Sequence, residues 1–186
     1  GDGRAIMIGE HVTENTQRFD LQLKGSGRTP YSRGGDGKAT LKAMLREYLI
    51  SEAMHYLNIP SSRSLTVIKT GEQIHRQSIQ EGAVLTRVMK SHIRVGTFEY
   101  ASYYCSKDNL NKLTSYTINR LYPEINQHEN PPLSLLYRVM TNQIDLVVNW
   151  MRVGFIHGVM NTDNTSISGE AFDYGPCAFI NTYKPE

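Results

Sequence analysis

The sequence is poor in cysteine: Cys105 and Cys177 are the only two in 186 residues. They lie far apart and form no C-x-x-C pair, which points away from a zinc knuckle or a disulfide framework, and both read as free thiols. Histidine is scattered as well; the six show neither H-x-H nor H-E-x-x-H spacing, so a histidine-rich transition-metal site is not expected. No apolar run approaches the roughly 20 residues needed to cross a bilayer, and the start of the chain has no basic-then-apolar leader pattern. An excess of charge of either sign is also missing. Lys and Arg total 20 against 18 Asp and Glu, a net charge of +2, which argues against nucleic acid or a membrane as an obligatory partner. Repeats and low-complexity segments are absent.

What remains is a composition with 39% hydrophobic residues, ordinary for a globular protein with one core or two small lobes. The chain opens at Gly1 without an initiator Met and stops shortly after a polar turn, so it is expected to be an excised portion of a longer protein. Residues 5–8 (AIMI) read as a strand behind the glycine turn GDGR. In 19–24, Phe19, Leu21 and Leu23 alternate with Asp20, Gln22 and Lys24, which predicts a half-buried strand with Lys24 on its polar face. The Gly- and Arg-rich loop KGSGRTPYSRGGDG follows. A helix is predicted from about Lys38 to Leu57, capped by Asp36 and ended by Pro60. Its apolar face is expected to be Leu41, Leu45, Tyr48, Leu49 and Tyr56. A neighbouring stripe, Met44, Glu47, Ser51 and Met54, sets a carboxylate between two methionines, where a charge needs a partner. Segments 64–69 and 83–89 read as strands. Beyond Phe98 the pattern turns helical, with a polar region around 106–130 and a long helix near 134–153 whose buried face is expected to be Leu136, Met140, Ile144, Val147 and Met151.

Three constellations carry chemistry. Lys24 on a strand and Glu47 on the next helix form the kind of pair that holds an ammonium against nucleotide phosphates, although such residues are more often independent surface charges. Residues 157–164, HGVMNTDN, follow the kinase catalytic-loop pattern H-R-D-x-x-x-x-N in their His and final Asn but place Val159 where the Asp belongs; Asp163 is the only carboxylate of the loop. His157 itself reads as structural. Nine residues after Asn164, Asp173-Tyr174-Gly175 resembles the D-F-G turn that binds magnesium, and Asn164 with Asp173 would offer two hard oxygen ligands; read blandly, both segments are simple turns. The third constellation is cationic: Arg4, Lys24, Arg28, Arg33, Lys38, Arg87, Lys90 and Arg94. Without interleaved aromatic residues for base stacking, it suits a triphosphate better than RNA.

The stretches GDGRA, LQLKGSGRTPYSRGGDGKA, REYLISEAMHYLNIP, GAVLTRVMKSHIRVGTFEY, HGVMNTDNTSI and FDYGP together resemble the selenoprotein O (SelO, formerly YdiU) family, over nearly the whole chain. The resemblance implies an α+β, protein-kinase-like atypical pseudokinase fold of two lobes. Residues 1–100 would form a nucleotide-binding N-lobe and 101–186 a partial helical C-lobe, the family's regions beyond both ends being missing. It implies transfer of AMP, not phosphate, from ATP to Ser, Thr or Tyr hydroxyls of proteins, with the nucleotide inverted so that its γ-phosphate is buried among basic residues. Gly1, Gly3, Arg4, Lys24, Asp36, Gly37, Arg87, Arg94 and Asp173 would contact ATP, Glu47 would support Lys24, Asp163 would be the general base, and Asn164 and Asp173 would hold Mg2+, with Mn2+ as the alternative. Partners would be proteins with hydroxyl side chains, not nucleic acid or membrane. The compartment would be the cytoplasm of a bacterium or, for a eukaryotic source, the mitochondrion. The alternatives are a protein or small-molecule kinase that uses Asp163, and a non-catalytic nucleotide-binding module. Cys177, beside DYGP, reads as an inert thiol.

Overall fold

The computed structural model describes residues 3–182, which divide into two compact units: the chain up to Lys90 together with Phe172–Gly175, and Ser91–Ala171 together with the chain from Pro176. Both are built from short connections, and the class is α+β with an antiparallel sheet and four α-helices.

The first unit is a five-stranded sheet with one helix. Strands β1 (Ala5–Val12) and β2 (Arg18–Lys24) form a hairpin; β2 pairs with β5 (Ile79–Met89), and β5 pairs along its other edge with β4 (Arg63–His75). The two-residue β3 (Ala39–Thr40) also pairs with β5, antiparallel like all the others, and leads straight into helix α1 (Leu41–Tyr56). The alternation predicted for β2 is present, but its polar side is the buried one: Asp20, Gln22 and Lys24 are buried, while Phe19, Leu21 and Leu23 are only half-buried. That inversion decides the packing of α1. The helix turns Met44, Glu47, Ser51 and Met54 inward, and Leu45, Tyr48, Leu49 and Tyr56, expected to be its buried face, stay exposed. A sheet face carrying Lys24 and Arg87 selects the helix stripe that holds a carboxylate, not the most apolar one.

The helix cap differs from expectation as well. Thr40 caps α1, its hydroxyl accepting the Ala43 amide at 3.3 Å, whereas Asp36 accepts the Lys38 amide and pairs with Arg76. Thr40→Ala is therefore expected to cost about 1 kcal/mol. Asp36→Ala should leave the helix end intact, and urea unfolding of the two variants, read at unchanged slope, separates the roles.

The second unit is mainly helical: α2 (Val95–Tyr104), α3 (Lys107–Leu121), a 3-10 turn (Pro123–Gln127) and α4 (Pro131–Arg152), followed by the short hairpin of β6 (Phe155–Ile156) and β7 (Ala178–Phe179). The polar region near 106–130 is thus largely helix; Ser106 caps α3 by accepting the Asn109 amide at 3.3 Å. The core joins Ile118, Tyr122, Ile125, Leu135, Val139 and Ile167. Helix α4 again buries the stripe beside the expected one: Leu135, Val139, Leu146 and Trp150 are inside, and Leu136, Met140, Ile144, Val147 and Met151 are exposed. Helix α2 starts before residue 100 and packs against α3 and the 3-10 turn at Thr162–Asn164, so the boundary between the compact units falls after Lys90. Among the described residues no helix is long and apolar enough to cross a membrane.

Candidate functional site

In the first unit the site is a buried ionic cluster assembled from four chain segments. The strand register sets Gln22 of β2 directly opposite Arg87 of β5, and Lys24 lies two residues farther along the same face of β2. Glu47 descends from α1 between the two cations. Its Oε2 accepts from Lys24 Nζ at 2.7 Å, and its Oε1 accepts from Arg87 Nε at 3.1 Å and from Arg87 Nη2. Arg87 Nη1 donates to Gln22 Oε1 at 2.8 Å, and the guanidinium lies over the Phe172 ring, 5.2 Å from its centroid. Lys24 also pairs with Asp173 Oδ1. Arg87 is 1% exposed and Glu47 2%, so this carboxylate is shared between cations in a place where water cannot screen them.

The turn at 172–175 belongs to this unit because its side chains are anchored there. Phe172 and Tyr174 are fully buried, Tyr174 shares a 2.5 Å hydrogen bond with the Ser61 hydroxyl, and Arg46 Nη1 donates to the Gly175 carbonyl at 2.9 Å. Asp173, between the two aromatic anchors, has φ of +65°, a left-handed conformation that Asp tolerates better than most residues. Its carboxylate is a quarter exposed.

The charges explain the titration. Burial pushes the Glu47 carboxyl up, but Arg87 and Lys24 outweigh it and hold the group below its ordinary value despite the nearby Asp173. Burial likewise raises Asp173, and Lys24, Arg87 and Arg4 overcome it, leaving the carboxyl well below the usual range. Both groups are depressed in the folded state, so the stability they contribute is complete above the ordinary carboxylate values and is lost on acidification, when the unfolded chain takes up protons first. The urea midpoint is therefore expected to fall between about pH 5 and pH 3, and to fall less steeply in Glu47→Gln.

The glycine-rich loop folds back beside β3. Gly37 has φ of +68°, and a Cβ there would lie 1.9 Å from the Gly27 carbonyl oxygen, so only glycine fits. Asp36 holds Arg76 through both carboxylate oxygens at 2.8 and 2.9 Å; that ion pair, the Lys38 amide and the nearby cations lower its carboxyl to about 2. Gly3 accepts from the Ser32 hydroxyl at 2.5 Å, the Arg4 carbonyl accepts from the Gly25 amide at 2.7 Å, and the Arg4 side chain is exposed. Gly1 lies outside the described residues.

In the second unit, Asp163 and Asn164 sit on the 3-10 turn Thr162–Asn164, whose cap Asn161 accepts the Asp163 amide at 2.9 Å and the Asn164 amide at 3.0 Å. Asn164 Nδ2 donates to the Val159 carbonyl at 2.9 Å, which fixes the amide's orientation and commits its nitrogen, so that Oδ1 is the atom a cation would meet. Val159, at the position of the missing acid, thus orients Asn164 with its backbone. A Cβ on Gly96 would come within 2.7 Å of Asp163 Oδ1, so the bare glycine of α2 makes room for this carboxylate. His157 is buried and stacks on Trp150 at 5.3 Å, a structural role, as read from the sequence. Tyr122 ties the end of the loop to α4: it donates to the Ile167 carbonyl at 2.7 Å and accepts from Asn142 at 2.8 Å, and burial raises its hydroxyl to about 12. Arg94 is the buried cap residue of α2, its amide donating to Thr97 Oγ1 at 3.1 Å.

Lys24, Glu47, Arg87 and Asp173 are thus brought together in the first unit, and Asp163 and Asn164 adjoin in the second. Sequence reasoning missed Gln22, Ser61, Phe172, Arg46 and Gly96. Gln22 alone carried a signal, being two residues from Lys24 and so on the same strand face. No group of three His, Cys, Asp or Glu residues among those described could hold a metal by itself. A divalent ion at Asp173 would need oxygens from phosphate and water, which suits magnesium.

The family model for the protein adenylyltransferase SelO matches residues 1–186. A protein nucleotidyltransferase YdiU of Pelagibacter ubique is 59% identical over 186 residues, covering 100% of this chain and 38% of the relative. Proteins of the same name from Brevibacillus brevis and Syntrophotalea carbinolica are 60% and 59% identical, again with 38% of the relative covered. The chain therefore spans well under half the length of these curated relatives.

Proposed function

Because the chain belongs to the SelO family of protein adenylyltransferases, we propose that it carries the nucleotide-binding and base-bearing segments of an enzyme that moves AMP from ATP to Ser, Thr or Tyr hydroxyls of proteins. The observation that carries this reading is the buried carboxylate of Glu47 shared between Lys24 and Arg87. Burying two cations on one sheet face costs folding stability, a cost that is offset in function when a polyanion is to meet them. Lys24 and Arg87 would receive phosphate oxygens of ATP, with Gln22 and Phe172 fixing the Arg87 guanidinium. Arg4, Gly3 and the Gly37 loop would line the approach, and the resemblance adds Gly1, Asp36 and Arg94. Asp36 would act through its grip on Arg76 and the loop.

The sheet with α1 and the returning 172–175 turn supports a kinase-like N-lobe, and the helices from α2 onward a partial C-lobe. In the reaction the acceptor hydroxyl oxygen bonds to the α-phosphorus, the bond from that phosphorus to the bridging oxygen breaks, and pyrophosphate leaves. Asp163 would take the hydroxyl proton. Magnesium would be held by Asp173, to which the resemblance adds Asn164, and would neutralise phosphate charge.

Pyrophosphate release by the full-length protein, incubated with ATP and a hydroxyl-bearing protein, tests this. Pyrophosphate is expected, and Asp163→Ala is expected to slow its release about 100- to 10,000-fold with ATP affinity largely unchanged. Release of orthophosphate in place of pyrophosphate would overturn the proposal.

A further inference from the structure

With Met44, Glu47, Ser51 and Met54 turned inward, α1 leaves Leu45 43% and Leu49 64% exposed. Between this face and the start of β5 lies an open groove of about 680 Å3, lined by Leu41, Leu45, Leu49 and Ile50 together with Lys42 and Arg46. A second cavity of about 300 Å3, bounded by Thr40, Ala43 and Gly175, shares Lys42 and Arg46 with the first. One pair of cations therefore stands where an apolar groove meets a recess reaching the Asp173–Gly175 turn. The acid on the groove wall, Glu81, is engaged by Lys69 at 2.5 Å, so positive charge is in excess at the junction. Arg46 is exposed, and its Nη1 holds the Gly175 carbonyl at 2.9 Å.

We infer that this groove docks an acidic, apolar peptide segment of a partner protein, with its apolar side chains against Leu45 and Leu49 and a carboxylate between Lys42 and Arg46. Docking also steadies the Asp173–Gly175 turn. Burying the exposed leucines drives association. A guanidinium offers five donors in a fixed fork, so a carboxylate on its free edge fixes the Arg46 side chain while Nη1 keeps the Gly175 carbonyl. Docking is independent of the adenylyl-transfer reading; only an effect on the transfer rate rests on it.

The test uses the full-length protein and a fluorescein-labelled peptide of about 12 residues, with leucines at helical spacing and glutamates between them, beside a counterpart with lysines for the glutamates. The acidic peptide is expected to bind and the basic one not. Leu49→Glu and Lys42→Glu should each weaken binding of the acidic peptide at least about tenfold, and Lys42→Glu should gain affinity for the basic peptide. Saturating acidic peptide should slow amide exchange across residues 173–175 at least about threefold, and this slowing should vanish in Arg46→Ala. Equal binding of both peptides, or indifference to both variants, would overturn docking by charge complement. Absence of binding together with a Leu49→Cys thiol that resists maleimide would show that another part of the same protein covers the groove, which also overturns it. Binding without slower exchange would overturn the link to the turn. Loss of AMP transfer from all samples would count against the proposed function and leave these readouts standing.

Discussion

Glu47→Ala is expected to lower folding stability by about 3–5 kcal/mol, the cost of leaving buried charge without its partner. The expectation rests on the geometry of a shared carboxylate: Glu47 answers Lys24 with one oxygen and Arg87 with the other, at 2% exposure. Its removal takes a carboxylate from two cations at once; Lys24 keeps Asp173, while Gln22 offers Arg87 a neutral oxygen. Glu47→Gln keeps the shape and loses the charge, so it should fall between wild type and Glu47→Ala. Against a typical total stability of about 5–15 kcal/mol, the alanine variant should be marginal, and urea unfolding monitored at neutral pH measures the difference. A surface ion pair would cost about 1 kcal/mol or less; a loss that small would mean that water reaches the cluster.

The second large effect is on chemistry. Asp173→Asn is expected to slow transfer about 100- to 10,000-fold, the equivalent of several kcal/mol of charge stabilisation, while lowering stability far less than Glu47→Ala. Asn tolerates the left-handed backbone at φ +65° as Asp does, and Phe172 and Tyr174 still anchor the turn on either side. What disappears is the negative charge that faces Lys24 and would face a hard cation; the amide oxygen left in its place is neutral. A variant that unfolds would make Asp173 a structural ion-pair partner; one that folds and has lost transfer places it in the chemistry. Single-turnover rates beside urea midpoints distinguish the two.

The residues of the ionic cluster were legible because chemistry, not hydropathy, marks them. A glutamate between two methionines requires a partner, and the structure supplies Lys24, from the polar side of the β2 alternation, together with Arg87. Hydropathy failed where two helix faces compete. On α1 the stripe through Leu45 is the more apolar, while the stripe through Met44 also carries Glu47 and Ser51, so the period predicts a helix but hydropathy points to the wrong rotation. Rotation is settled by the polar sheet face it covers, which no local window sees. On α4 the stripe through Leu135 and the stripe through Leu136 differ by one residue, with the same result. The cap of α1 failed for a different reason: Asp36 and Thr40 are both good caps, and Asp36 is claimed by Arg76, 40 residues away. The catalytic-loop pattern was readable up to Val159, whose contribution is a backbone carbonyl and therefore invisible in side-chain types.

The central claim is that the group transferred is AMP. Full-length protein incubated with an acceptor protein and ATP carrying label separately at the α- and γ-phosphates tests it most directly. The account predicts α label on the acceptor and no γ label. Label from the γ position would contradict it in favour of a kinase, and nucleotide binding with neither label transferred would contradict it in favour of a binding module.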